Sequence, residues 1–354
     1  MDILTVDGVK IAGVVACLPE NLVDNREACS DLYGKEVGTL IKATGIEKRA
    51  LANPGTTALD LGVTAAKRLL QQTGTEPDEV GAVLCVTFTP EYIMPADAPS
   101  AQARLGLLNN CVAFDVNMAC SGYGYGLHLG AMLCKQLQKK VLVLDGDIQS
   151  AFCSQLDKAT MPVMADIGTA TLLQPCEGAN KWSFSFYTDG TKRNVLYIPA
   201  GGSKQPSTEN DVKYHMYDDG SQRKNTDIYM DGYGVFMFVA LKASKFIAEF
   251  MEEKAMTVDD LDAFVPHQAN IYVITQLAKK LKFANEKAWK SGDIYGNPGS
   301  SSVPLTIAKN ANEWFNSGKC GNILFSGFGG GLSISVGLID LNKDGYYEVI
   351  KYGE

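Results

Sequence analysis

No run of ~18 apolar residues occurs in this 354-residue sequence, so no membrane-spanning helix is expected. The opening MDILTVDGVK has no basic segment ahead of an apolar one, which argues against a secretory signal. There is no basic block either. Lys and Arg number 32 against 40 Asp and Glu, a net charge of −8, and such a chain is a poor non-specific nucleic-acid binder. The nine cysteines form no CxxC pair and no zinc-like spacing, and most sit in apolar runs. They read as reduced, buried thiols of a cytoplasmic protein. GYGYGL (122–127) and GFGGGL (327–332) both fail G-x-G-x-x-G at the sixth position, and no GxxxxGK[ST] is present, so a nicotinamide or ATP site has no support. With 46% hydrophobic and 20% charged residues, the chain can bury a substantial core and is not a disordered protein.

What is present repeats once. TEPDEVGAVLCV (75–86) resembles MTVDDLDAFVPH (256–267), and KVLVLDGD (140–147) resembles GNILFSGF (321–328), with Gly146 and Gly327 standing 181 residues apart. Asn117, ahead of ACSG, matches Asn297 of NPGSSS at an offset of 180. A duplicated half is expected, with residues 1–178 and 179–354 as the two units. Within each, β-branched runs alternate with helical stretches. Helices are expected over 58–71, 120–139, 233–254, 271–281 and 303–315, and buried strands over 80–87, 141–144, 263–265 and 322–326. This pattern predicts parallel-rich sheets covered by helices on both faces. The polar stretch 204–225 reads as an irregular insertion.

The chemistry concentrates in four places. In FDVNMACSGYGYGL (114–127) a strand runs into Cys120 and a helix with small residues follows. A nucleophile at such an elbow faces outward, and the helix N-terminus is expected to favour thiolate. Of only three histidines, His128 lies on the apolar helix and reads as a packed, hydrogen-bonded core residue, and His215 reads as a surface residue. His267 ends a buried strand at VPHQAN, where α/β ligand sites collect. Asn297, in a Gly/Pro turn before a helix, offers a neutral amide donor. The glycines of SGFGGGL (326–332) allow close backbone approach, which suits an oxyanion hole.

Cys120, His267 and Asn297, together with VPHQAN, YGNPGSSSVP, FGGG and TGIEKR (44–49), resemble the 3-oxoacyl-[acyl-carrier-protein] synthase III family over nearly the whole chain. The resemblance implies a thiolase-like five-layer αβαβα sandwich, a homodimer, and no cofactor. It implies that Cys120 is acylated by an acyl-CoA or acyl-carrier-protein thioester. Malonyl-acyl-carrier protein would then be decarboxylated with His267 and Asn297 donating hydrogen bonds, and the N–H groups of Cys120 and Gly330 would form the oxyanion hole. Phe328, Gly232, Phe236, Ala269, Asn270 and Lys158 fall at substrate-binding positions. Other relatives fit less well: thiolases carry a second Cys in the final turn, whereas Cys320 precedes the strand here, and elongating synthases have a His where Asn297 stands. Within the enzymes, an acyltransferase acting on a hydroxyl or amine is the alternative. A silent partner subunit is argued against by the intact Cys-His-Asn set.

Departures concern the donor. Thr39 and Ala43 stand where the family member best suited to acetyl-CoA has a Trp and an Arg that clamp the CoA adenine, and Tyr272 stands where a basic residue follows HQAN. Lys279, Lys280 and Lys282 form a basic cluster that would dock an acidic carrier protein.

Overall fold

In the computed structural model, which describes residues 1–178, 181–319 and 321–354, two large sheets enclose a pair of helices. The first sheet comprises β2 (Val9–Leu18), β3 (Val80–Val86), β4 (Val112–Val116), β5 (Lys140–Ile148), β6 (Asp166–Pro175) and β11 (Tyr346–Lys351), in the order β11-β2-β6-β5-β3-β4. The second comprises β1 (Leu4–Val6), β7 (Trp182–Thr188), β8 (Ala263–Pro266), β9 (Asn322–Gly329) and β10 (Ser333–Asp340), in the order β1-β7-β10-β9-β8. The run β2-β6-β5-β3 in one sheet matches β7-β10-β9-β8 in the other. The repeat extends to detail. The short turns Pro77–Glu79 and Val258–Asp260 are each closed by a carboxylate three residues on, Glu79 onto the Glu76 N–H at 2.7 Å and Asp260 onto the Thr257 N–H at 2.8 Å.

The chain ends cross over: β1 pairs with β7 of the second sheet, and β11 pairs with β2 of the first. The proposed boundary at 178/179 adjoins residues outside those described.

Helices α3 (Gly122–Leu137) and α6 (Ser302–Asn316) fill the space between the sheets. A helix wedged between two sheets has little room for side chains. A Cβ on Gly124 would come within 2.4 Å of Ser335 Oγ, and one on Gly126 within 2.5 Å of Val86 Cγ2. Helix α2 (Ala58–Thr73) covers the outer face of the first sheet. The outer face of the second is covered by α5 (Ile271–Lys280) and by a helical run over Gly232–Met237, a π-helical stretch Phe238–Ala243, and Ser244–Glu253. The result is a five-layer αβαβα sandwich with its main core between the sheets, where Tyr123, Trp182, Phe184 and Phe325 are fully buried.

The sheets are mixed rather than parallel-rich. Four of the nine strand pairings in the two large sheets are parallel. For one of the antiparallel pairs the reason is connection length: β9 and β10 are joined by the three-residue turn 330–332, which permits only an antiparallel hairpin. Helix and strand positions otherwise follow the sequence pattern, with three of the four expected strands running further than expected and the strand over 80–87 ending at Val86. The insertion 204–225 is irregular but not loose. Arg223 is buried, paired with Asp157 at 2.9 Å, and stacked over the Tyr217 and Tyr229 rings. His215 within it is half-buried, its Nε2 3.1 Å from the Asn210 carbonyl, so it is not a plain surface residue.

Candidate active site

Strand β4 ends at Val116 and the chain turns sharply to Cys120. Ala119 is held at φ +43°, a left-handed conformation unfavourable to a residue with a Cβ, and the turn Ala119–Ser121 leads directly into α3. Such strain at a strand-to-helix elbow projects the next side chain away from the regular elements. The second half repeats the device: Gly299 has φ +66° and the turn Gly299–Ser301 leads into α6. At the nucleophile's position this copy has Ser300, and Asn297, the match of Asn117, stands just ahead of the turn.

Cys120, His267, Asn297 and Phe328, which come from four separate segments, all border one cavity of about 240 Å³. His267 follows β8, and its N–H donates to the Ser326 carbonyl of β9 at 2.7 Å. Its Nδ1 lies 2.7 Å from Ser302 Oγ at the start of α6, and its ring meets Phe328 edge-on at 5.3 Å between centroids. Asn297 is clamped by its backbone, donating to the Val163 carbonyl at 2.8 Å and accepting from the Ala165 N–H at 2.9 Å and Gln149 Nε2 at 2.7 Å. Its Oδ1 accepts from the Gly299 N–H at 3.1 Å. That bond fixes the amide's orientation and leaves the Nδ2 hydrogens as donors.

The electrostatics depart from expectation at the nucleophile. Burial, and then the Asp147 carboxyl, push the Cys120 thiol up to about 12. The resting group is therefore a neutral thiol, not the thiolate expected beside a helix N-terminus. Burial is the largest cause and exceeds the backbone hydrogen bond that acts the other way. Burial also holds His267 down to about 4, against a backbone hydrogen bond to Gly299, so its imidazole is neutral at physiological pH.

Gly232, Phe236, Ala269, Asn270 and Lys158 border the same cavity as the four central residues. Asn270 also caps α5, its side chain accepting from the Val273 N–H at 2.8 Å. Gly330 follows Gly329 in the turn after β9 and borders a second cavity that Cys120 also borders. His128 is packed against Phe184 and Phe186 as expected, but its Nδ1 has no partner, contrary to the hydrogen-bonded reading. Eight cysteines are free thiols, and Cys320 lies outside the described residues. Among the described residues no cluster of three or more His, Cys, Asp and Glu could hold a metal, and no helix is long and apolar enough to cross a membrane.

Three residues escaped the sequence reading. Gly329, not Gly330, abuts the nucleophile: a Cβ there would lie 3.1 Å from Cys120 Sγ. Ser302 backs His267, a role hinted at only by the SSS run before α6. Asp147, buried on β5, accepts from the Phe88 N–H, the Thr87 and Thr89 hydroxyls and Ser300 Oγ, which ties the Asn297 turn to the end of β3. Nothing in the sequence distinguishes it from a surface acid.

Family models for 3-oxoacyl-[acyl-carrier-protein] synthase III match residues 114–190, and for its C-terminal part residues 251–341. A beta-ketoacyl-[acyl-carrier-protein] synthase III of Caldanaerobacter subterraneus subsp. tengcongensis is 30% identical over 340 residues, covering 94% of this chain and 98% of the relative. The chain belongs to the 3-oxoacyl-[acyl-carrier-protein] synthase III family. A synthase III of Streptococcus thermophilus is 32% identical over 326 residues, covering 92% of this chain and 96% of the relative. The crystal structure of a 3-oxoacyl-(acyl-carrier protein) synthase from Burkholderia xenovorans LB400 superposes with a TM-score of 0.91 at 30% identity, covering 99% of both chains. The thiolase-like five-layer fold is thereby shown.

The mouth of the 240 Å³ cavity is built from several segments. Leu40 and Thr44 of helix α1 (Val37–Thr44) border it, whereas Thr39 and Ala43 are exposed and do not. Tyr272 is exposed at the rim and stacks on Phe236 at 6.2 Å. Lys158 is exposed at the rim. The lysine cluster lies at the far end of α5 from Tyr272, about 10 Å along the helix. It is not one free patch. Lys280 Nζ folds back to donate to the Ala240 carbonyl, while Lys279 and Lys282 are exposed and, among the described residues, make no side-chain hydrogen bond.

Proposed function

We propose that this synthase III catalyses a decarboxylating Claisen condensation, joining an acyl thioester to malonyl-acyl-carrier protein to give a 3-oxoacyl-acyl-carrier protein at the initiation of an acyl chain. The observation that carries this reading is the convergence of a strained-elbow thiol, a neutral imidazole and an oriented amide on one cavity. Cys120 Sγ attacks the acyl carbonyl, the bond from that carbon to the donor sulfur breaks, and the thiol proton passes to the departing sulfur. Because the resting Cys120 is a thiol, attack and proton transfer are coupled. The N–H groups of Cys120 and Gly330 bind the oxyanion, a contribution of about 10²–10³ in rate per donor.

The malonyl thioester oxygen next accepts hydrogen bonds from Asn297 Nδ2 and His267. In the tautomer with the proton on Nε2, the Ser302 hydroxyl donates to Nδ1 and the imidazole can donate to the thioester oxygen. The carbon–carboxylate bond breaks, CO2 leaves, and its electron pair forms the enolate. The enolate carbon attacks the acyl-cysteine, the Sγ–carbon bond breaks, and Cys120 takes a proton from solvent. Two neutral donors stabilise the enolate without protonating it, which favours condensation over acyl transfer to a hydroxyl or amine. Malonyl-acyl-carrier protein with an acyl-CoA primer, followed by mass detection of the product, is the test. Cys120→Ala is expected to abolish the acyl-enzyme and the 3-oxo product together, and acylation at another Cys would overturn the assignment.

A homodimer accompanies this function in our reading. β4 is the edge strand of the first sheet and half-exposes Phe114 and Val116. Beside it, Tyr92, Ile93 and Met94 are 64%, 97% and 86% exposed, on a segment tied to β4 through the Asp97 N–H and Asp115. An unpaired edge next to an apolar loop favours pairing with a second copy. Light scattering on Ile93→Asp is expected to show a monomer where the parent chain is a dimer; a parent monomer would refute it.

A further inference from the structure

Cys120 borders two cavities, and they differ in kind. One, of about 240 Å³, holds His267 and Asn297. The other, of about 360 Å³, is walled by Phe88, Met118, Met164, Ile198 and Ile228, and no charged side chain borders it. Its polar side chains are Asn117, Tyr197 and Gln149, and the Gln149 amide donor is committed to the Ala165 and Asn297 carbonyls at 3.0 and 2.7 Å. The two share only Cys120, Met164 and Leu196. A thioester at Cys120 has two arms, the carrier arm and the acyl chain. The decarboxylation groups line the first cavity, so the carrier arm of malonyl must enter there, and the acyl chain is left the second.

The second cavity is far larger than an acetyl group requires. A methylene occupies about the volume of a water molecule in the liquid, about 30 Å³. An acetyl methyl would leave most of the apolar wall without contacts, whereas a medium-length hydrocarbon chain would cover it. We infer that the primer is an uncharged, medium-chain acyl thioester of about six to ten carbons, seated in the cavity between Phe88 and Ile228. This rests on the condensation reading for the second step, but the choice of primer is made in the first. There the Sγ–acyl bond forms, the donor thioester bond breaks, and the thiol proton leaves with the donor sulfur.

The test is a primer panel from acetyl to dodecanoyl, each as CoA and as carrier-protein thioester, with a succinyl thioester as the charged control. Acyl occupancy of Cys120 is read by intact mass and kcat/KM by product formation with malonyl-acyl-carrier protein. Occupancy rates are expected to rise about three- to fourfold per added methylene, to peak between about six and ten carbons at least tenfold above acetyl, and to be negligible for succinyl. Ile198→Trp and Ile228→Phe should each shift the optimum to shorter chains and lower the octanoyl-to-acetyl ratio about tenfold or more. A best rate with acetyl, or a ratio unmoved by both variants, overturns the inference. Ranked occupancy of Cys120 without CO2 release or 3-oxo product would instead sink the condensation reading and leave the primer inference standing. No occupancy with any primer sinks both.

Discussion

Ser302 Oγ lies 2.7 Å from His267 Nδ1, and both residues are buried. The contact joins the end of β8 to the start of α6, 35 residues apart. It sets which imidazole nitrogen can face substrate. Ser302→Ala is expected to lower malonyl decarboxylation by about one to two orders of magnitude, the usual 1–3 kcal/mol for a buried polar group losing its partner. Acylation of Cys120 should be unaffected, and a rate deficit that Ser302→Thr restores would mark positioning rather than bulk stability. Equal loss in both half-reactions would count against it.

His267→Ala and Asn297→Ala are expected to retain acylation of Cys120 and lose CO2 release. Each removes one neutral donor to the developing enolate, a loss of about 10²–10³ in rate. Release of ¹⁴CO2 from labelled malonyl-acyl-carrier protein at the parent rate by either variant would show its role to be misassigned.

The pH profile follows from burial. A solvent-exposed histidine titrates near 6.5, but His267 is held down to about 4. Its neutral form therefore persists well into acid, and single-turnover decarboxylation is expected to stay level from pH 7 down to about 5. An inflection near 6.5 would show that the imidazole is not desolvated as described. For stability the sign is that of a depressed base. The unfolded chain takes up the proton first, so this contribution is intact above about 6.5 and is lost as pH falls toward 4.

Asp145 shows the opposite sign. Its carboxyl is fully buried, and burial raises it well above the carboxylate range against a hydrogen bond from Ser300, with the neighbouring Asp147 adding to the rise. Its protonated form is favoured by folding, so its contribution is fully present below about pH 4 and is lost as pH rises. Asp145→Asn is expected to stabilise the protein by about 1–3 kcal/mol at pH 8, with a smaller gain at pH 5. Thermal unfolding at the two pH values checks it, and a gain independent of pH would contradict the buried, neutral acid.

Docking of the carrier should depend on Lys279 and Lys282 more than on Lys280, whose charge is already engaged with the Ala240 carbonyl. Lys279→Glu is expected to raise KM for malonyl-acyl-carrier protein several-fold at low salt, and the effect should shrink as ionic strength rises. A KM indifferent to both charge reversal and salt would show that the carrier binds elsewhere.

Much of this was legible in the sequence because local chemistry dictates it. Val80–Val86 is an unbroken apolar run, so it is a strand buried on both faces. Pro266 and Asn270 bracket the end of β8 and the start of α5, and that punctuation placed His267 at the end of its strand. The 180-residue offset between Asn117 and Asn297 marks the duplication in the sequence itself. These depend on a few neighbouring residues and their conformational limits. The tertiary structure decided what depends on distant partners. The crossed chain ends, with β1 and β11 each in the other half's sheet, reflect long-range pairing that no local pattern encodes. The helix start after Cys120 suggested a thiolate, yet burial beneath the packed halves makes it a thiol, because desolvation depends on everything that closes over the sulfur. The bond from Ser302 to His267 ties two distant segments of the second half, and the second cavity beside Cys120 exists only where the two halves meet. Sequence determined which groups the protein could use; the packing of one half against the other determined their protonation, their orientation and the space beside them.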